Sequence, residues 1–253
     1  MFGGGGEIAL NVNADKVYYI EKSAQLVNIF KNLDLEFVQQ VEKCIKKYGL
    51  SKTNKQGFLD LRDYYNKELY HTESREQAVV LYCLITHSFN YQMAFNSKRQ
   101  FNMPSGAGRS YFSDNLKEKL LRYIEHINEK DISFICRDFL DVFITELPAP
   151  DKCFIYADPP YLITTGSYER DYFCKWSENY EKRLLSFLDR LNERGYQFAL
   201  SNVLEHKGKE NTLLKEWAKN YNIHYLNADY SNCNYQTNSK ELKSSVEVLI
   251  TNY

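Results

Sequence analysis

The sequence predicts an α/β fold: a doubly wound, mostly parallel sheet carrying an inserted, mainly helical module. Three observations carry this reading. Strand-like runs at 132–136, 153–157, 196–200, 222–228 and 246–251 alternate with helix-like runs at 138–145, 178–194 and 207–220. Such alternation implies parallel strands with helices on both faces. A glycine run, "FGGGGEIALNV" at residues 2–12, precedes the strand-like "KVYYI" at 16–20. Finally, Glu21, Asp138 and Asp158 each stand at the carboxyl end of an expected strand, which is where sheets of this kind bind ligands. Each acid alone reads equally well as a helix N-cap. Their agreement in position is what points to one crevice.

In chain order, the glycine run comes first. Glycines let a backbone adopt positive φ and approach a ligand closely. The run is no Walker sequence, since no Gly-Lys-Ser/Thr follows, and on its own it reads equally as a flexible tail. Glu21 at the end of the next strand gives it meaning, because a doubly wound nucleotide-binding fold grips ribose hydroxyls at that point. Residues 22–33 and 35–48 have helical apolar spacing, and 49–73 turns polar with weak periodicity. "REQAVVLYCLITHSFNYQMAF" at 75–95 reads as one long, mostly buried helix. A loop rich in Gly, Ser, Asn and basic residues follows at 96–112, and then an amphipathic helix at 114–129.

Composition sets the outer bounds. The chain has 253 residues and 43% hydrophobic content, enough to bury a full core. No apolar run is long enough to span a membrane. The start lacks the basic and apolar regions of a leader, so a cytoplasmic protein is expected. Cys44, Cys83, Cys136, Cys153, Cys174 and Cys233 are scattered without a CxxC pair, which argues against zinc and against a disulfide framework. The net charge of −1 does not announce a nucleic-acid partner, which would need a local basic face.

The most informative stretch is "FIYADPPY" at 154–161. Two prolines end a strand abruptly, fix two φ angles and remove two N–H donors. The stiff turn that results carries a carboxylate, carbonyls that no strand partner uses, and an aromatic ring. A rigid strand end with a solvated aspartate is one reading of it. A preset binding clamp is the other.

"FGGGGEIALNV", "YYIEKS", "FICRDF", "YADPPYLITTGSY" and "ALSNVLEHKG", in this order, resemble the D12, Dam-like class of S-adenosylmethionine-dependent DNA adenine-N6 methyltransferases. "NSKRQFNMPSG" resembles the loop before the catalytic half in that class. The similarity runs from residue 2 to residue 253. It implies a Rossmann-like methyltransferase domain formed by 1–48 and 113–253, with 49–112 as the target-recognition module. It implies that Phe2, Gly4 and Gly6 lie along the methionine part of S-adenosylmethionine. Glu21, where the family more often has Asp, would bind the ribose hydroxyls, and Asp138 and Phe139 would frame the adenine. Asp158, Pro159, Pro160 and Tyr161 would hold the target base, with Ser201 and Asn202 lining the site.

The chemistry suits these residue types. The exocyclic N6 of adenine is a poor nucleophile because its lone pair is delocalised into the ring. Two acceptors, the Asp158 carboxylate and the Pro159 carbonyl, would localise that lone pair and stabilise the positive charge that develops on nitrogen. The prolines hold both acceptors in place beforehand. The partner is double-stranded DNA with a flipped adenine, and Tyr161 offers a ring for that base to stack on. In the module, Asn96, Lys98, Arg99, Asn102, Arg109 and Tyr111 are the expected DNA contacts, since Arg can read guanine and Asn adenine. A solvated basic loop is the bland alternative there.

The chain departs from the family at its start. A Gly-Gly-Lys segment and the strand that feeds the glycine loop normally precede the motif at Phe2. The expectation is a truncated start, a decayed product, or a partner polypeptide that supplies the segment. Cytosine-N4 methylation, which uses a similar tetrad, and a non-catalytic remnant that binds DNA or cofactor are the competing functions.

Overall fold

A computed structural model of the chain describes residues 1–164, 176–226 and 245–253. Cys174, Cys233, residues 165–168 of the tetrad-bearing motif and the end of the expected strand at 222–228 lie outside these residues. The chain forms two compact units, one running from Gly3 to Arg137, the other comprising Met1–Phe2 and the described chain from Asp138 on.

In the Gly3–Arg137 unit, a short helix α1 (Glu7–Asn11) leads into strand β1 (Lys16–Glu21). Helices α2 (Ala24–Lys31), α3 (Leu35–Tyr48), α4 (Lys55–Tyr64), α5 (Arg75–His87) and α6 (Asp114–Asn128) follow, and then strand β2 (Asp131–Cys136). β1 and β2 pair in parallel, from Lys16 opposite Asp131 to Glu21 opposite Cys136. Each of α2 to α6 begins at a polar side chain that accepts a backbone N–H of the first turn: Ser23, Asp34, Asn54, Ser74 and Ser113. One core joins Tyr19 and Phe30 to Phe37, Phe58, Leu61, Tyr65, Leu84, Phe101 and Ile124. Residues 49–112 therefore share their apolar interior with the segments on either side.

The helix expected over 75–95 ends at His87. Ser88 turns its hydroxyl onto the carbonyls of Ile85 and Gln92 at 2.9 and 2.6 Å, and Asn90 and Tyr91 both take left-handed backbone conformations. Apolar residues continue past this point, which is why periodicity alone overran the break. The polar stretch after 49 holds α4, which runs on into a π-turn at Tyr65–Leu69.

In the other unit, strand β3 (Phe154–Ala157), helix α7 (Glu178–Glu193), strands β4 (Gln197–His206) and β5 (Lys209–Glu210), helix α8 (Thr212–Ala218), and strands β6 (Asn222–Leu226) and β7 (Ser245–Thr251) form a layered α/β body. The sheet order is β3-β4-β7-β6, with β5 paired to β4. The sheet is mixed, which corrects the mostly parallel expectation: β3 and β4 are parallel, but β4 with β7, β6 with β7 and β4 with β5 are antiparallel. The sequence between β6 and β7 has no helical pattern.

Two further expectations shift. The helix at 138–145 is instead a pair of short 3₁₀ turns, Phe139–Asp141 and Ile144–Glu146. Its Val, Phe, Ile and Thr residues lose rotamer freedom in a helix, and Pro148 stops continuation. The strand expected at 196–200 runs on to His206, because Lys207 and Gly208 both take positive φ and close a two-residue hairpin onto β5. Among the described residues, no helix is long and apolar enough to cross a membrane.

Candidate active site

The glycine turn is built against the end of β1. Gly3 N–H donates to the Ile20 carbonyl at 3.0 Å, and Gly6 N–H to the Gly3 carbonyl at 2.9 Å. Gly4 and Gly6 have φ of 49° and 80°, values that a side chain would strain. Two tyrosines fix the turn's carbonyls: Tyr19 donates to Gly4 O at 2.7 Å and Tyr123 to Gly5 O at 2.9 Å. The Glu21 carboxylate accepts from Gly4 N at 3.1 Å and from Ser23 N at 2.9 Å. The acid at the strand end is thus bound directly to the glycine turn, and each of its oxygens keeps a lone pair for a further donor.

Sequence reasoning missed Tyr19 and Tyr123. The first was legible from strand alternation in "KVYYI", which sends Tyr19 inward and Tyr18 outward. The second needed the tertiary fold, since α6 is far from the glycines in sequence.

In the other unit, Asp158 follows β3 directly. Tyr161 donates to Asp158 Oδ1 at 3.0 Å, and the Ser201 hydroxyl lies 3.1 Å from the Tyr161 oxygen. The residue as a whole is open to solvent, yet protein crowds its carboxyl. That desolvation raises the Asp158 pKa above the ordinary aspartate value, and the Tyr161 hydrogen bond pulls the other way. Pro159 is buried and Pro160 partly so. Asn202, one residue beyond Ser201 and so on the opposite face of β4, is buried and donates to Glu181 at 3.2 Å.

Asp138 accepts from Leu140 N at 3.1 Å and opens the 3₁₀ turn that carries Phe139. Phe139 is buried, with the rings of Phe2, Trp176 and Tyr180 around it at 5.2, 5.8 and 6.2 Å between centroids. Phe2 also meets Trp176 edge-on at 5.4 Å. Trp176 was not among the expected site residues. Its indole N–H is held by the buried carboxylate of Glu181, which also accepts from Asn202 and Asn211.

The expected DNA contacts lie on two turns of the Gly3–Arg137 unit. Asn96 is used by the fold: its Oδ1 accepts from Lys98 N and Gln100 N at 2.9 and 3.0 Å, an Asx-type turn. This leaves Lys98 and Arg99 exposed at the tip of a hairpin, with Asn102 exposed just beyond it. Asn66 anchors that hairpin, donating to Phe101 O at 3.0 Å and accepting from Phe101 N at 2.7 Å. On the second turn, Arg109 lies over the Phe89 ring at 5.6 Å, and Lys52 over the Tyr111 ring at 4.4 Å.

Residues 1–232 match the family of D12 class N6 adenine-specific DNA methyltransferases. The Type II methyltransferase M.FokI of Planomicrobium okeanokoites is 44% identical over 100% of this chain and 38% of its own. The modification methylase StsI of Streptococcus sanguinis is 41% identical, again over 100% of this chain and 38% of its own. A DNA adenine methylase of Haemophilus influenzae is 29% identical over 63% of this chain and 53% of its own. The chain belongs to the D12 class of N6 adenine-specific DNA methyltransferases. It spans 38% of the length of M.FokI and of StsI.

Proposed function

We propose that this chain transfers a methyl group from S-adenosylmethionine to the N6 amino group of adenine in a specific DNA sequence, as the modification arm of a restriction system. The observation that carries the reading is the preset acceptor at the end of β3: a carboxylate with one oxygen tied to Tyr161, on a turn stiffened by two prolines. Asp158 and the Pro159 carbonyl accept the two N6–H bonds of a flipped adenine, and the Tyr161 ring stacks on that base. The prolines keep these acceptors from reorganising when the base arrives.

The cofactor fits the residues present. Gly4 and Gly5 are exposed, and a Cβ at Gly5 would meet no atom within 4 Å, so a ligand can lie against bare backbone there. Glu21 stands beside them as an acceptor for ribose hydroxyls. S-adenosylmethionine, when bound, supplies the electrophilic methyl. The chain's own part is to orient the amino group and to stabilise the charge growing on it.

We assign residues 49–112 as the target-recognition module. Lys98, Arg99, Asn102, Arg109 and Tyr111 are its DNA-facing groups. Asn96 contributes by shaping the hairpin tip. The test is methylation of genomic DNA with labelled S-adenosylmethionine, followed by mass spectrometry of the nucleosides. N6-methyladenine is expected. N4-methylcytosine, or no methylated base at all, overturns the assignment.

A further inference from the structure

In the turn Phe89–Asn90–Tyr91, the two rings themselves are given no contact to DNA above. Phe89 and Tyr91 are 36% and 48% exposed. Asn90 and Tyr91 take φ of 54° and 56° in succession, a left-handed pair that strains any residue with a Cβ and a bulky aromatic most of all. Merely stopping α5 requires no such residue; a glycine would do it without strain.

The turn is nevertheless held firmly. Phe89 N donates to Pro104 O at 3.0 Å, Tyr91 N to Ser88 O at 3.2 Å, and Gln92 N to Phe89 O at 3.3 Å. Ser88 beneath it is fully buried. Two flat rings are thus presented to solvent on a fixed backbone, with little conformational entropy left to lose on binding.

Their surroundings select the partner. The Arg109 guanidinium sits on the Phe89 ring at 5.6 Å. Residues 88–113 contain no Asp or Glu, although the chain has 33 such residues among 253. That stretch carries Lys98, Arg99 and Arg109, so nothing on it repels a polyanion. Exposed rings, one of them with a cation on its face, on a segment without carboxylates match a ligand that alternates aromatic faces with phosphates.

We propose that the Phe89–Tyr91 turn is a base-stacking contact to DNA, in which the Tyr91 ring stacks on a base and Arg109, braced on Phe89, meets the neighbouring phosphate. This rests on the DNA-methyltransferase reading and adds to it a contact that the loop's basic residues alone do not supply.

The test uses Tyr91→Gly, because glycine relieves the left-handed strain while removing the ring. The full chain is titrated with mixed-sequence single-stranded and duplex oligonucleotides carrying 2-aminopurine. The expected result is a melting temperature at or above the parent's, S-adenosylmethionine affinity unchanged by calorimetry, and DNA affinity lower by about 5- to 150-fold, the range that loss of one stacked base implies. The 2-aminopurine quench is lost with it. Tyr91→Phe retains both affinity and quench. Arg109→Ala lowers the salt slope by about one, whereas Tyr91→Gly leaves it as in the parent.

DNA affinity within twofold of the parent in Tyr91→Gly, with the quench intact, overturns the proposal and leaves the rings to a protein partner. Methylation of genomic DNA by the parent chain reads the enzymatic assignment separately, so a chain that methylates DNA while Tyr91→Gly binds normally loses only the stacking contact.

Discussion

Tyr161 Oη lies 3.0 Å from Asp158 Oδ1, and Ser201 Oγ lies 3.1 Å from the same phenol oxygen. With Tyr161 donating to the ionised Asp158, the phenol oxygen is left to accept from the Ser201 hydroxyl, which also hydrogen-bonds toward the carboxylate. The result is a directed chain from the strand β4 hydroxyl to the Asp158 carboxylate. It fixes the carboxylate and the aromatic ring together, in one geometry, before any substrate arrives.

That chain sets a pH dependence. Crowding raises the Asp158 pKa, and the Tyr161 hydrogen bond lowers it. In the proposed role Asp158 accepts as a carboxylate, so activity is expected to fall as pH drops through the raised pKa. The acid limb therefore lies above the ordinary aspartate value. Tyr161→Phe keeps the stacking ring but removes the lowering bond, so its acid limb moves to still higher pH. The measurement is single-turnover methylation across pH. A limb that stays put, or moves down, refutes the hydrogen-bond chain.

Asp158→Ala removes one of the two proposed N6 acceptors from a preorganised site. Loss of such an electrostatic partner costs on the order of 10²–10³ in rate. Because Asp158 is open to solvent, its removal leaves the fold's melting temperature near the parent's. A rate within tenfold of the parent would remove Asp158 from the mechanism.

The sequence made the strand-end turns legible because they are local. "ADPPY" stiffens itself, and Glu21 is the last residue of its own strand. It did not disclose what holds those turns. Tyr123 reaches Gly5 from 118 residues away, and no periodicity carries that information. Asn96 is expected as a DNA contact from its residue type, and the sequence did not disclose that its amide oxygen also closes the hairpin. The mixed sheet was missed for a related reason: strand direction depends on whether a helix intervenes, and the segment before β7 carries no helical signal either way. The end of α5 was hidden because Phe89 and Tyr91 continue an apolar pattern while facing solvent.

Glu181 is fully buried, and it serves three neutral donors: Trp176, Asn202 and Asn211. Burial raises its pKa above the ordinary glutamate value, and those hydrogen bonds pull it back. The folded state therefore holds a proton more tightly than the unfolded chain. The stability this contributes is complete below the ordinary carboxylate pKa and is lost as pH rises through the raised one. Glu181→Gln cannot titrate, so its melting temperature is expected to vary less with pH across that window than the parent's does. Glu181→Ala leaves buried donors unpaired, each costing about 1–3 kcal/mol. A drop of several degrees is expected, since about 1 kcal/mol shifts a chain of this size by roughly 2–4 °C. Parallel pH curves for parent and Glu181→Gln would show that Glu181 does not change protonation on folding.

The glycine turn and Tyr123 form a pair that a double-mutant cycle can isolate. A Cβ at Gly6 would lie 2.2 Å from Tyr123 Oη, the same oxygen that donates to Gly5 O at 2.9 Å. Gly6→Ala then carries two costs: a left-handed backbone at φ 80°, worth about 1–2 kcal/mol, and displacement of Tyr123. Tyr123→Phe loses the hydrogen bond but also the atom that clashes. In the double variant the clash has already been removed, so its destabilisation is smaller than the sum of the singles. The expected coupling is about 0.5–3 kcal/mol, the range for residues in direct contact. Denaturant unfolding of the four proteins measures it. The same four proteins, titrated with S-adenosylmethionine, separate shape from strain. If the turn is what the cofactor reads, Gly6→Ala weakens cofactor binding by about tenfold or more, as a 1.4 kcal/mol loss would, while DNA affinity stays at the parent's value. Strict additivity in the unfolding cycle would mean that Tyr123 does not support the turn at all.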